Sequence, residues 1–169
     1  VYGRPVWRSH GSPLDELIAT ILSQATADVN TARAYAALTA RFPDWTSVMN
    51  APPDEVIAAI RSAGLAQTKG PRIQNALRHI LRQRGELSLD FLADMPLQEA
   101  LNWLTAIDGV GPKTASIVLL FALGRPAFPV DTHVYRVGGR LGLIPPGQNA
   151  AKAHVTLAEL GAPETYYPM

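Results

Sequence analysis

Apolar residues recur at three- and four-residue spacing along nearly the whole chain, and sustained alternation of period two is almost absent. That spacing gives a helix one buried face and gives a strand none, so the chain is expected to be all-α. Ser12-Pro13 opens a first helix to about Ser23, with Leu14, Leu17, Ile18, Ile21 and Leu22 as its buried stripe. Thr26 is placed as the cap of a second, running toward Arg41; Asp44 and Pro52-Pro53-Asp54 start two short ones, the latter ended by Gly64. Thr68 to Arg84 forms the next, closed by Gly85, and Ser88 and Pro96 begin two more. A tight connection from Thr105 to Gly111 leads into a helix from Pro112 to Leu123. Helices from Asp131 to Leu141 and from Asn149 to Leu160 complete about ten, joined by short Gly/Pro turns.

The 169 residues can bury one compact core, and two helical lobes around a cleft fit equally well. No apolar run is long enough to span a bilayer and no cationic leader precedes an apolar block, so a soluble, intracellular protein is expected; it is also expected to be a monomer. Zero cysteines exclude a disulfide framework and any thiolate-held metal within these residues. The tail Tyr166-Tyr167-Pro168-Met169 carries no domain-ending signal, which suggests a piece of a longer protein. The net charge of +1 does not point to nucleic acid, but its distribution is uneven. Between Glu55 and Glu86 there is no carboxylate, while Arg61, Lys69, Arg72, Arg78, Arg82 and Arg84 all fall there. A solvated helix face and contact with a polyanion account for that run equally well.

The most informative segment is Ile107-Asp108-Gly109-Val110-Gly111-Pro112-Lys113-Thr114-Ala115. Glycines at 109 and 111 permit positive backbone dihedrals in a tight turn and clear the way for a phosphate to reach backbone N–H groups. Pro112 suits a first helical position, and the helix end it opens offers free donors and a positive dipole to the same phosphate. In that first turn the dipole disfavours the ammonium form of Lys113, which favours a nucleophile able to attack a sugar C1′ and form a Schiff base. Hairpin sequence alone leaves Lys113 equally readable as a plain phosphate contact. Asp131, in Val130-Asp131-Thr132-His133, decides the matter if it shares a cleft with the lysine. There it can take a proton and stabilise positive charge on the sugar; it also reads as a helix cap, and one residue can serve both roles. His133 has no metal-spaced partner and reads as a packed or capping residue.

At these residues the chain resembles the helix-hairpin-helix DNA glycosylase superfamily, and within it the endonuclease III branch, from about Ser12 onward. Leu22-Ser23-Gln24-Ala25-Thr26, the hairpin with Lys113, and Val130-Asp131-Thr132-His133 occur in family order and spacing. The resemblance implies two helical lobes around a cleft: a central barrel lobe over about 24–130 and a partial terminal lobe from 1–23 and 131–169. It also implies a base-excision repair enzyme acting on duplex DNA with damaged bases or abasic sites, in the nucleoid if bacterial. A lysine at position 113 implies AP lyase activity by β-elimination and oxidised pyrimidines as substrates.

Family roles transfer to single positions. Gln24 matches a glutamine entering the gap left by a flipped nucleotide, and Leu65 an apolar wedge on the opposite strand. Lys69, Gly109, Val110, Gly111 and Thr114 are expected to contact DNA, and carbonyls of Thr105, Ile107 and Val110 to hold a monovalent cation. Two departures stand out. Asp108 replaces a frequent proline, and the four cysteines that hold a [4Fe–4S] cluster in many relatives are missing, so a cluster could belong only to a form extending past residue 169. Two other readings remain: a monofunctional glycosylase for mismatched or alkylated bases, and a non-catalytic hairpin module that grips duplex DNA.

Overall fold

The computed structural model describes residues 11–160. Among them are α1 (Pro13–Ser23), α2 (Asp28–Arg41), α3 (Trp45–Asn50), α4 (Pro53–Ala59), α5 (Ala66–Arg84), α6 (Leu97–Thr105), α7 (Pro112–Ile117), α8 (Thr132–Arg140) and α9 (Ala150–Leu160), and no strand. Single 3-10 turns cover Arg61–Ala63 and Asp90–Ala93, and α7 continues as a widened π turn over Val118–Ala122. The expected helix from Pro112 to Leu123 is therefore present as two differently wound parts.

Caps set several boundaries. The Ser12 hydroxyl accepts from the Asp15 N–H at 3.1 Å with Pro13 at the first helical position. Asp44 accepts from the Ser47 N–H at 2.7 Å, and Gly85, at φ +77°, ends α5. Thr26 does not cap α2, which starts at Asp28 behind Ala27. Its hydroxyl instead meets the Gln24 carbonyl at 3.1 Å and the Ala63 carbonyl, tying two loops together.

The large core is built around α1. Leu17, Ile18 and Leu22 are wholly buried among Leu38, Ile73, Leu77, Ile80, Leu104, Ala115 and Leu119, and α1 packs on α2, α5, α7 and the π turn. This corrects the lobe boundary expected at residue 23. The described part of that segment packs in the same core as α2, α5 and α7, within the barrel lobe. The second cluster is small: Val130, Ile144, Ala153 and Leu157, with Phe128, Val134 and Tyr135 against it, where α8 packs on α9. The rest of the expected terminal lobe, residues 1–10 and 161–169, lies outside the described residues. No helix among the described residues is long and apolar enough to cross a membrane.

Candidate active site

The hairpin between α6 and α7 closes when the Val110 N–H donates to the Ile107 carbonyl at 3.0 Å. Gly109 sits at φ +78°, which favours glycine, and a Cβ there would lie 2.8 Å from Cδ of Arg72, whose side chain would have to move. Gly111 differs from expectation. Its φ of −91° is open to any residue, and a Cβ would meet nothing within the protein, so the missing side chain serves only the space in front of α7. Among the described residues the N–H groups of Gly109, Gly111, Lys113 and Thr114 have no internal acceptor and remain available to an anion. Val110 offers neither of the usual contacts, because its side chain is buried and its N–H is used inside the turn.

Lys113, in the first turn of α7, places Nζ 3.9 Å from Oδ2 of Asp131. Asp131 is the N-cap of α8, and its two oxygens divide the work. Oδ1 accepts from the N–H groups of Val134 at 2.7 Å and His133 at 2.9 Å, which leaves Oδ2 for the lysine. The Val134 bond chiefly, with help from Lys113 and His133, holds the Asp131 carboxyl below its ordinary value of 3.8 against the opposing effect of partial burial. The pair lines a cleft of about 490 Å³ together with Ser23, Ala25, Thr26, Thr132 and Tyr135. One carboxylate thus caps α8 through Oδ1 and faces the lysine through Oδ2. The His133 ring lies 3.2 Å from an Arg136 nitrogen, and no metal-sized group of His, Cys, Asp or Glu occurs among the described residues.

Gln24 follows the end of α1 and rests on the hairpin. Its amide donates to the Gly109 carbonyl at 3.3 Å and reaches Thr114 Oγ1 at 3.5 Å, while its oxygen accepts from Arg72 at 3.3 Å. Thr114 is buried, so its side chain serves that contact and not the surface. Leu65 is 64% exposed despite its size and has φ +48°. Ala25, next to Gln24, has φ +53°; these are the two non-glycine residues with positive φ among those described. Ala25 and Arg72 were missed by sequence reasoning. Arg72 had a faint signal in the carboxylate-free run, and Ala25 stood inside the Leu22–Thr26 motif with nothing to mark its backbone conformation.

Lys69 is corrected outright as a DNA contact. It is 1% exposed, and its ammonium donates to the carbonyls of Leu22 at 2.7 Å and Ala63 at 2.8 Å and to Thr26 Oγ1 at 2.6 Å. Other members of the basic run are also used within the fold. Arg78 donates to the Met49 carbonyl at 2.8 Å, closing α3, and the Arg84 guanidinium lies 3.9 Å from the centre of the Phe91 ring. At the expected cation site, the Ile107 carbonyl already accepts from Val110, whereas those of Thr105 and Val110 take no hydrogen bond within the described residues. A thiolate-held cluster has no ligand in the chain.

A fold of packed helices with a glycine hairpin, a lysine and a carboxylate on one cleft defines a class, and comparison with known proteins agrees. Residues 18–163 match the model of the HhH-GPD superfamily base excision DNA repair proteins. The chain is 42% identical over 146 residues to At3g47830 of Arabidopsis thaliana, whose name gives DNA glycosylase as an inferred activity; the match covers 86% of the chain and 50% of that protein. It is 36% identical over 130 residues to endonuclease III of Sulfolobus acidocaldarius, covering 76% of the chain and 56% of that enzyme. The chain thus spans about half the length of these relatives. A solved structure of a trapped endonuclease III–DNA covalent intermediate superposes with a TM-score of 0.79 at 28% identity, covering 98% of the chain and 73% of that one. The chain belongs to the HhH-GPD superfamily, in its endonuclease III branch.

Proposed function

We propose that this chain is a monomeric DNA glycosylase with AP lyase activity that removes oxidised pyrimidines from duplex DNA inside the cell. The observation that carries the reading is the approach of Lys113 Nζ to Asp131 Oδ2 at the wall of the cleft. Free N–H groups of Gly109, Gly111, Lys113 and Thr114 fix a backbone phosphate, and the damaged nucleotide turns into the cleft while Gln24 and Leu65 fill the gap in the duplex. Lys113 gives up a proton and attacks C1′; the C1′–N bond breaks and its electron pair leaves with the base, which takes up a proton. The attached nitrogen then gives its second proton to water, and its lone pair expels O4′ from C1′; O4′ takes up a proton, so the sugar ring opens as the protonated imine forms. Loss of a proton from C2′ then expels the 3′ phosphate. Asp131, held ionised by its N–H donors, opposes the positive charge that builds on the sugar ring during base departure. Carbonyls of Thr105, Ile107 and Val110 would hold a monovalent cation, the Ile107 oxygen through its second lone pair, and the ion would add positive charge beside the phosphate.

The test is one gel with duplexes carrying thymine glycol or an abasic site, with and without borohydride. Base loss, strand cleavage and a borohydride-dependent covalent complex are expected from the native chain, and Lys113→Gln removes the complex while leaving folding intact. A complex retained by Lys113→Gln refutes the lysine's role. Base loss without strand cleavage supports the monofunctional reading, and no base loss the binding module. Asp131→Asn keeps the cap and slows base release by about a hundredfold or more, the scale seen when one pre-set charge partner is removed.

A further inference from the structure

Lys69 is the largest side chain fully buried, yet no carboxylate pairs with it among the described residues. A cation taken out of water is costly unless it is paired or fully hydrogen-bonded, and Lys69 is met only by two carbonyls and a hydroxyl. A leucine or methionine at this core position would spare that cost, so the position of the three acceptors becomes informative. Leu22 and Thr26 bracket the Gln24-Ala25 turn, three residues before Ala25 and one after it. Ala63 lies two residues before Leu65. The two left-handed non-glycine residues of the described chain are therefore held by the same ammonium. The Thr26 hydroxyl, which accepts from Lys69, also joins the Ala63 carbonyl directly, so the two loops form one unit with the lysine at its centre.

A non-glycine residue in that conformation persists only when its surroundings over-determine it. Packing cannot supply this for Leu65, which is 64% exposed, nor for Ala25, which is exposed at the cleft. We propose that Lys69 is a positioning residue that locks the Gln24 and Leu65 loops into one rigid two-pronged unit, so that both prongs enter the duplex together. This rests on the reading of Gln24 and Leu65 as the inserting side chains. Lys69 touches neither DNA nor the reacting atoms, and its effect is confined to extrusion of the nucleotide, before any bond is broken.

The experiment is stopped-flow fluorescence with a duplex carrying 2-aminopurine beside a thymine glycol, whose signal rises as the stack opens. Lys69→Met slows the rise by about tenfold at saturating enzyme, because two strained turns are released, while affinity for undamaged duplex changes by less than about threefold. Gln24→Ala and Leu65→Ala slow the rise in the native background, and their effects shrink when combined with Lys69→Met, as expected of groups that act through one another. An unchanged rise in a folded Lys69→Met, or full additivity with both loop variants, overturns the proposal. So does a slower rise matched by an equal loss of affinity for undamaged duplex. If Lys69→Met does not fold, Thr26→Val decides: it cuts the direct link and slows the rise by about threefold, and an unchanged rate overturns the proposal. If neither Gln24→Ala nor Leu65→Ala alters the rise, the loop reading itself is wrong and the role of Lys69 falls with it.

Discussion

The body built from α1 to α7 and the one built from α8 and α9 are unequal. The first closes on Leu17, Ile18, Leu22, Leu77, Ile80 and Leu104, all at 0% exposure. The second has four buried apolar residues and leaves Val137, Leu141, Leu143, Val155 and Leu160 between 44% and 68% exposed. The candidate catalytic pair takes one member from each: Lys113 stands on the well-packed body and Asp131 at the threshold of the thin one. Precision on the lysine side comes from burial, and on the aspartate side from a few hydrogen bonds, some local and one reaching from α9. Those bonds are the α8 cap and the His154 ring, 3.0 Å from the Phe128 carbonyl.

Truncation of one leucine in each body breaks or confirms this contrast most forcefully. Leu17→Ala is expected to cost about 3–5 kcal/mol, because its neighbours are fixed and cannot collapse into the hole. Leu157→Ala, 7% exposed beside an open apolar face, is expected to cost about 2 kcal/mol, because that side relaxes. Urea unfolding of both variants measures the difference. Equal losses would mean that the α8–α9 body is as rigid as the barrel.

The two hairpin glycines provide the next comparison. Gly109→Ala meets both a left-handed backbone and Arg72, and is expected to cost about 2 kcal/mol. Gly111→Ala meets neither, and should cost less than about 1 kcal/mol, the loss of a tolerated N-cap residue. Both should weaken duplex binding, Gly111→Ala by obstructing the phosphate directly. A Gly111→Ala variant with unimpaired binding in a filter or anisotropy assay would place the phosphate elsewhere.

Much of this was legible in the chain, for identifiable reasons. Helix starts at Ser12 and Asp44 and the stop at Gly85 were readable because capping chemistry is local. Lys113 and Asp131 were paired only through the resemblance, whose motif order and spacing they share; hairpin and helix-start signals locate each one but do not bring them together. Lys69 was not legible: a lysine within an arginine-rich helix looks solvated, and its acceptors come from residues 22, 26 and 63, which no periodicity connects to it. Neither was the central place of α1, since a wide apolar stripe shows that a helix is buried and not which lobe buries it. Gln24 resting on Gly109 across 85 positions is likewise a product of packing alone.

The finest probe of the contrast is the cap of α8, because the thin body depends on a few hydrogen bonds. Asp131→Ala removes both N–H contacts and is expected to cost about 1 kcal/mol, whereas Asp131→Asn keeps an acceptor and costs a few tenths, about the spread among good capping residues. Acid offers the same test without mutation. The Asp131 carboxyl is held below its ordinary 3.8 in the folded chain, so its stabilising contribution is complete above that value and fades as the pH falls through the lower folded one. Native chain and Asp131→Asn should therefore converge in thermal midpoint at strongly acidic pH and separate only slightly at neutrality, where the charged cap and its lysine partner are both in place. A gap that widened on acidification would mean that burial, which disfavours the charge, outweighs the cap and Lys113 together.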